Sequence, residues 1–279
     1  MTCARTFVAI VVSASPWTFA QQLPTAEQVL DRYVAVTGGQ SAYDRVQNQV
    51  LRTSASMSGQ ILAQSTDHIT RDGKFRHSTA GAEETGINDG VAWIKTKEKA
   101  EILESGPQRA IVLRSGFLLS DSQWRRYYSS AKMAGMTTVD GRPCYELAVN
   151  SALGGSQTLD YEFKTGLLLR HSEPGTAGSG DVEITAREYF EVEGIKMPRR
   201  LLMKLGATTL EISVDELRFN QVIPDSTFAL PPEIARLARK RFVARPLPIA
   251  PAQVNSRDDQ HYLKKSSAAE DVAAMSASV

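Results

Sequence analysis

From residue 50 to residue 230 the chain is a succession of segments in which every second residue is apolar. In residues 158–169, Leu159, Tyr161 and Phe163 alternate with Asp160, Glu162 and Lys164, and residues 181–190 and 208–219 follow the same rule. A period of two places one face of each strand in a core and the other in water, a pattern no helix can use. Asp72-Gly73, Asp89-Gly90 and Asp140-Gly141 punctuate the series, and this dipeptide supplies the positive φ angles of tight hairpins. The pattern predicts one antiparallel sheet built from hairpins, with a single greasy face.

The expected strands run over residues 50–58, 61–71, 74–80, 91–96, 102–103, 137–139, 143–149, 158–169, 181–191, 197–204 and 208–219. Within the last, Leu210, Ile212 and Val214 keep one phase while Leu217 and Phe219 stand one residue out of step. A β-bulge at Asp215-Glu216 accounts for the slip and bends the sheet. About eleven strands are too many for one flat open sheet, so strong curvature or closure is expected.

Two segments break the alternation. Val29, Leu30, Tyr33 and Val34 form a helical stripe; Thr25 followed by Gln28 makes a capping box, and Gly38-Gly39 stops the helix. Between residues 107 and 133, Ile111, Val112, Phe117, Leu118, Leu119 and Trp124 also recur at helical spacing, with Gly116 separating two helices. A helix has one face to bury and the sheet has one face to cover, so these segments are expected to plug its concave side.

The net charge of +1 provides no field for nucleic acid, and no nucleic-acid partner is expected. Arg5, the apolar run 7–12 and Thr18-Phe19-Ala20 resemble a secretory leader cut after Ala20, which predicts export to the periplasm. No later stretch reaches the roughly 18 apolar residues of a membrane helix. Cleavage would remove Cys3 and leave Cys144, a small hydrophobe with no partner for an internal disulfide. After Pro231-Pro232, residues 234–245 combine Arg236, Arg239, Lys240, Arg241 and Arg245 with Leu237, Phe242 and Val243. Such a basic helix suits solvent, a membrane surface or a protein partner, and the Pro-, Ala- and Ser-rich run beyond it reads as disordered. The expected organisation is a leader over 1–20, one sheet domain over 21–231, and a basic helix with its tail over 232–279.

Certain residues carry more than pattern. Val29-Leu30-Asp31-Arg32-Tyr33, Thr37-Gly38-Gly39 and Ala42-Tyr43-Asp44-Arg45-Val46 are followed by Asn88-Asp89-Gly90-Val91-Ala92-Trp93, by 139–147 around Asp140-Gly141, and by Lys164-Thr165-Gly166-Leu167-Leu168. Val192-Glu193-Gly194-Ile195-Lys196-Met197-Pro198 and Ile223-Pro224-Asp225-Ser226-Thr227-Phe228 close the series. In order and spacing, over residues 25–231, they resemble the periplasmic LolA/LolB-like lipoprotein-sorting family. The resemblance implies an incomplete barrel with helices plugging its concave side and an apolar lumen that takes acyl chains. The inward arginine that locks the lid of true LolA has no single counterpart here. Relatives of this subgroup also occur fused behind insulinase-type zinc peptidases, which leaves room for an accessory role.

No Gly-x-Ser-x-Gly, HExxH, Walker or dinucleotide motif occurs, so no catalytic residue, metal or cofactor is assigned. A two-residue loop at Asp72-Gly73 would set His68 opposite His77, about 4.5–5.5 Å apart at Cβ; with no third ligand at hand, a solvated pair is the expectation. The apolar rows point elsewhere. Val91 with Trp93, Tyr145 with Leu147, and Leu159 with Tyr161 and Phe163 are expected on the concave face, covered by Phe117 and Trp124. They either fill a core or line a cavity. Burial contributes about 0.8 kcal/mol per methylene, so an acyl chain needs no polar anchor to bind. The reading is an α+β incomplete barrel acting as a non-catalytic carrier of lipid or lipoprotein acyl chains; the alternative is a solid-core accessory module for a partner such as a peptidase.

Overall fold

The computed structural model describes residues 23–175 and 180–244, so the expected leader and the tail beyond residue 244 lie outside the described residues. After α1 (Ala26–Val36) and α2 (Gln40–Asp44) come β1 (Asn48–Met57), β2 (Gln60–Thr70), β3 (Phe75–Thr79), β4 (Glu84–Asn88), β5 (Val91–Lys95) and β6 (Ala100–Ile102). The chain leaves the sheet through α3 (Gly106–Ser115), a 3-10 turn (Ser120–Gln123) and α4 (Trp124–Tyr127). It re-enters with β7 (Tyr128–Val139), β8 (Arg142–Ser151), β9 (Ser156–Glu162), β10 (Leu168–Glu173), β11 (Val182–Val192), β12 (Ile195–Leu205) and β13 (Thr208–Phe219). A second 3-10 turn (Asp225–Phe228) leads to α5 (Pro232–Ala244).

All thirteen strands form one antiparallel sheet in the order β6-β5-β4-β3-β2-β1-β13-β12-β11-β10-β9-β8-β7. Two meanders run outward from a seam between β1 and β13, leaving β6 and β7 as edges, and the sheet does not close. Residues 103–127 connect those two edges, which carries them across the open, concave side.

Local chemistry explains the elements. Thr25 Oγ1 accepts from the Gln28 amide at 3.3 Å and Gln28 Oε1 accepts from the Thr25 amide at 2.9 Å, the capping box expected from the sequence. Val29, Leu30, Tyr33 and Val34 of α1 are buried. Asp89-Gly90 and Asp140-Gly141 have positive φ at both residues and make the two-residue turns joining β4 to β5 and β7 to β8. The seam register slips between Arg52↔Glu216 and Thr53↔Val214, so Asp215 is the bulged residue, where the phase change placed it.

The sheet has two strands more than expected. Residues 158–169 do not form one strand: after β9 the chain turns at Thr165-Gly166, with Gly166 at φ +78, and returns as β10. The alternation continues through the turn and hides it. β4 carries one large apolar residue, Ile87, so no alternation marks it in the sequence. β7 starts at Tyr128, so the helical insert ends at Tyr127, six residues before residue 133.

Asp72-Gly73 behaves differently from the other Asp-Gly pairs. Thr70 N donates to Lys74 O, which leaves Arg71, Asp72 and Gly73 in a three-residue loop. One added residue reverses the facing of the return strand. His77 therefore opposes Asp67, His68 opposes Arg76, and the two imidazoles lie on opposite faces.

Gly38 shows how tightly the first helix is docked. Its φ is +137, and a Cβ there would lie 2.4 Å from the Gly194 carbonyl oxygen in the β11–β12 turn, while Lys196 N donates to Thr37 O at 2.9 Å. Gly38→Ala is expected to destabilise the fold by about 2 kcal/mol. Gly39→Ala, also at positive φ but with open space around it, should cost about 1 kcal/mol. Chemical denaturation of the two variants checks the difference.

Candidate binding clefts on the concave face

Cross-strand pairs fix which residues face inward. Tyr145↔Tyr161 and Leu147↔Leu159 share the core face of β8 and β9, as expected, and Leu147, Leu159 and Tyr161 are at most 2% exposed. Tyr33 of α1 meets Tyr161 edge to face with ring centroids 5.4 Å apart. Phe117 and Trp124 lie on the covering segment: Phe117 packs on Tyr127 at 5.1 Å, and Trp124 is buried in the same core. Trp124 Nε1 donates to Asp31 Oδ1 at 3.0 Å, and Arg125 reaches both oxygens of Asp31 at 2.9 and 2.8 Å. The Arg125 hydrogen bonds hold the Asp31 carboxyl below its usual range. This fork fastens the plug to α1.

Three expected lining residues lie elsewhere. Ala92 and Ile94 are the core-facing residues of β5, so Val91 and Trp93 point to the opposite face. Trp93 is buried there beside Gly86, with the Arg76 guanidinium 4.8 Å over its ring. The chain after β13 folds over this face: Arg76 donates to Ala229 O, Lys95 pairs with Glu233 at 3.4 Å, and Ile234 is fully buried. Phe163 falls past the end of β9, 45% exposed, with its ring 5.5 Å from Tyr145. None of the nine residues lines the open space described next.

That space flanks α3. Arg114, near the end of α3, donates to Gly154 O at 2.6 Å and to Glu173 Oε2 at 2.6 Å, and Gln157 Nε2 also donates to that oxygen at 3.2 Å. Gly155 makes room for the guanidinium, since a Cβ there would lie 2.4 Å from Arg114 Nη1. One cleft of about 520 Å³ opens between α3 and the β8–β9 loop, lined by Pro107, Arg109, Ala110, Leu153 and Pro174 among others. A second, of about 460 Å³, opens between α3 and β2–β5, with Phe75, Ile94, Leu103 and Val112 on its walls. Ile111 is 38% exposed and lines both. The two clefts are thus separated by one tethered helix.

The interior also holds polar groups without partners. Tyr161 is fully buried, its hydroxyl has no hydrogen bond, and burial pushes its phenol well above the ordinary range. Asp121, in the 3-10 turn that follows left-handed Leu119, is felt electrostatically by Tyr33, Tyr43, Tyr127, Tyr128, Tyr161 and Tyr189. Asp121 is half-buried, and desolvation, with no cation or donor offsetting it among the described residues, pushes its carboxyl from 3.8 up to about 6.

A raised folded-state pKa means the folded protein holds the Asp121 proton longer than the unfolded chain does. Its contribution is full below about pH 4 and is lost as pH rises through about 6, a fall of about 3 kcal/mol. Asp121→Asn should remove that slope in urea melts taken from pH 4 to 7.5. Tyr161→Phe removes an unpaired hydroxyl and should leave stability unchanged or raise it by about 1 kcal/mol; a loss above that size would show a hidden partner.

The cleft residues were only partly visible in the sequence. Ile111 and Val112 stood out by their spacing. The size of Trp93 suggests that its face of β5 is the core, but Val91, Trp93 and Lys95 alternate together, and a lysine in phase marks the face turned away from a core.

No family model and no curated protein matches the chain. Among solved structures, a DUF1329 family protein from Desulfovibrio piger is 16% identical and superposes with a TM-score of 0.51, over 73% of this chain and 97% of its own. A LolA superfamily protein from Nitrosomonas europaea is 9% identical with a TM-score of 0.52, over 75% of this chain and 99% of its own. At these identities the likeness is one of fold. The chain has the LolA-like fold, an unclosed antiparallel sheet with helices across its concave side.

Proposed function

We propose that this chain is a non-catalytic periplasmic carrier of lipid or lipoprotein acyl chains, exported through the leader at residues 1–20 and acting in outer-membrane lipoprotein sorting. The observation that carries this reading is the pair of clefts beside α3. Each lies in the roughly 300–1,000 Å³ range of small-molecule sites, and apolar side chains form much of their walls. An acyl chain gains about 0.8 kcal/mol per methylene buried in such a groove. Leu147, Leu159, Tyr145 and Tyr161, with Phe117 and Trp124, act as the packed support behind the clefts. Arg236 and Arg239 of α5 are exposed, available to an anionic membrane surface or to a partner protein.

The filled centre of the concave face favours a second reading, a solid-core accessory module for a partner such as a peptidase. Native mass spectrometry and lipid extraction of protein purified from its own cells separate the two: the carrier retains an acyl-bearing ligand in stoichiometric amount. Ile111→Arg, which places a charge between the clefts at an exposed position, should lower apolar-ligand affinity by about tenfold without changing circular dichroism. Repeated absence of ligand, together with failure to bind fluorescent lipids, would sink the carrier reading.

A further inference from the structure

The cleft between α3 and β2–β5 is apolar along its walls, but one end is built from polar side chains. On the inward face of β2 and β3, Asp67 opposes His77 and Ser65 opposes Thr79. His77 Nδ1 lies 2.5 Å from Asp67 Oδ1, His77 Nε2 lies 3.1 Å from Thr79 Oγ1, and Thr79 Oγ1 lies 2.9 Å from Ser65 Oγ. The Asp67 hydrogen bond raises the His77 pKa above its ordinary value, which favours an imidazolium that offsets the Asp67 charge and uses both ring nitrogens.

What this end leaves open is a set of acceptors. Among the described residues, Asp67 Oδ2 makes no hydrogen bond, and the Glu83 carboxylate, also in the lining, has neither a hydrogen bond nor an ion pair. Thr85 lines the same cleft, is only 7% exposed, and its hydroxyl has no protein partner among the described residues. The Thr85 hydroxyl is not one of the side-chain atoms sealed from solvent; it opens into the cleft, where a group arriving from outside can reach it. The lining contains no lysine or arginine, whereas the other cleft holds Arg109 and Arg114.

We propose that this cleft takes an amphiphile with a protonated amine head, its tail along Phe75, Ile94, Leu103 and Val112 and its head against Glu83, Thr85 and Asp67. An ammonium brings three donors and no acceptor, which matches the open groups. A carboxylate or phosphate head would instead meet the unpaired Glu83 carboxylate, while His77 is already engaged by Asp67, and a desolvated charge without a partner is strongly disfavoured. The proposal rests on the carrier reading above and adds the chemistry of the head group.

The test uses a neutral fluorescent probe, N-phenyl-1-naphthylamine, bound to the mature full-length protein at pH 7 and low salt. It is displaced by decylamine, decanoate or decanol, each below its micelle-forming concentration. Decylamine should displace it at least about tenfold more tightly than decanoate, as one charge-assisted hydrogen bond provides. Glu83→Gln should weaken decylamine by about tenfold and leave decanol unchanged, and Thr85→Val should weaken decylamine alone. Equal displacement by amine and carboxylate, or an amine preference that survives Glu83→Gln, overturns the head-group assignment while the carrier reading stands. Failure of the probe and of all three ligands to bind overturns both.

Discussion

The pairing of β1 with β13 is the constraint from which the rest of the structure follows. It joins the start of one meander to the end of the other, so both grow away from a central seam and their free edges, β6 and β7, finish far apart in the sheet order. The chain between those edges has one route, across the concave face, and it takes the form of α3, a 3-10 turn and α4. Plug and open barrel are two consequences of one connection. The seam also carries the bulge at Asp215, whose carboxylate accepts from Ser54 Oγ at 2.5 Å, so the bend is placed where it acts on both halves.

Crossing the sheet divides the interior into unlike parts. In the middle, Tyr33, Tyr161, Leu147 and Leu159 are packed without space, and the Asp31–Arg125 pair fastens the plug to α1. At α3 the packing is looser: Arg114 tethers it on one side, and open space remains on both flanks. Only Val112 of α3 is fully buried, with Arg114 as the polar tether, so this short helix can shift with less loss of apolar contact than the packed centre can. Asp121 and the orphan Tyr161 hydroxyl show that the centre is not optimised for stability alone.

Much of the architecture was legible residue by residue. The Thr25–Gln28 box, the hairpin turns at Asp89-Gly90 and Asp140-Gly141, the bulge after Val214, the break at Gly116 and the inward facing of Tyr145, Leu147, Leu159 and Tyr161 all follow from local preference and a period of two. The failures share one cause. Alternation fixes that residues i and i+2 agree, but not which of the two faces is the core, and a turn that preserves phase is silent. So the pattern runs β9 and β10 together, leaves β4 unmarked, and does not distinguish the two faces of β5 on which Trp93 and Ile94 lie. The candidate site fared worse, because a cleft is defined by space between elements, and spacing along the chain does not encode it.

The strand-rich class, the capped first helix and the plug as a separate helical segment are all written in the order of residues along the chain, which carries no recognisable catalytic motif. These are properties of neighbours along the chain, set by periodicity and turn chemistry. The tertiary structure decided the seam, the facing of β5 and the partnership of His77 with Asp67, which hangs on a loop of three residues where two were expected. It also decided that the open space lies beside α3. Each of these depends on residues distant in sequence being brought to one place, and a strand carries no local record of the partner it will find.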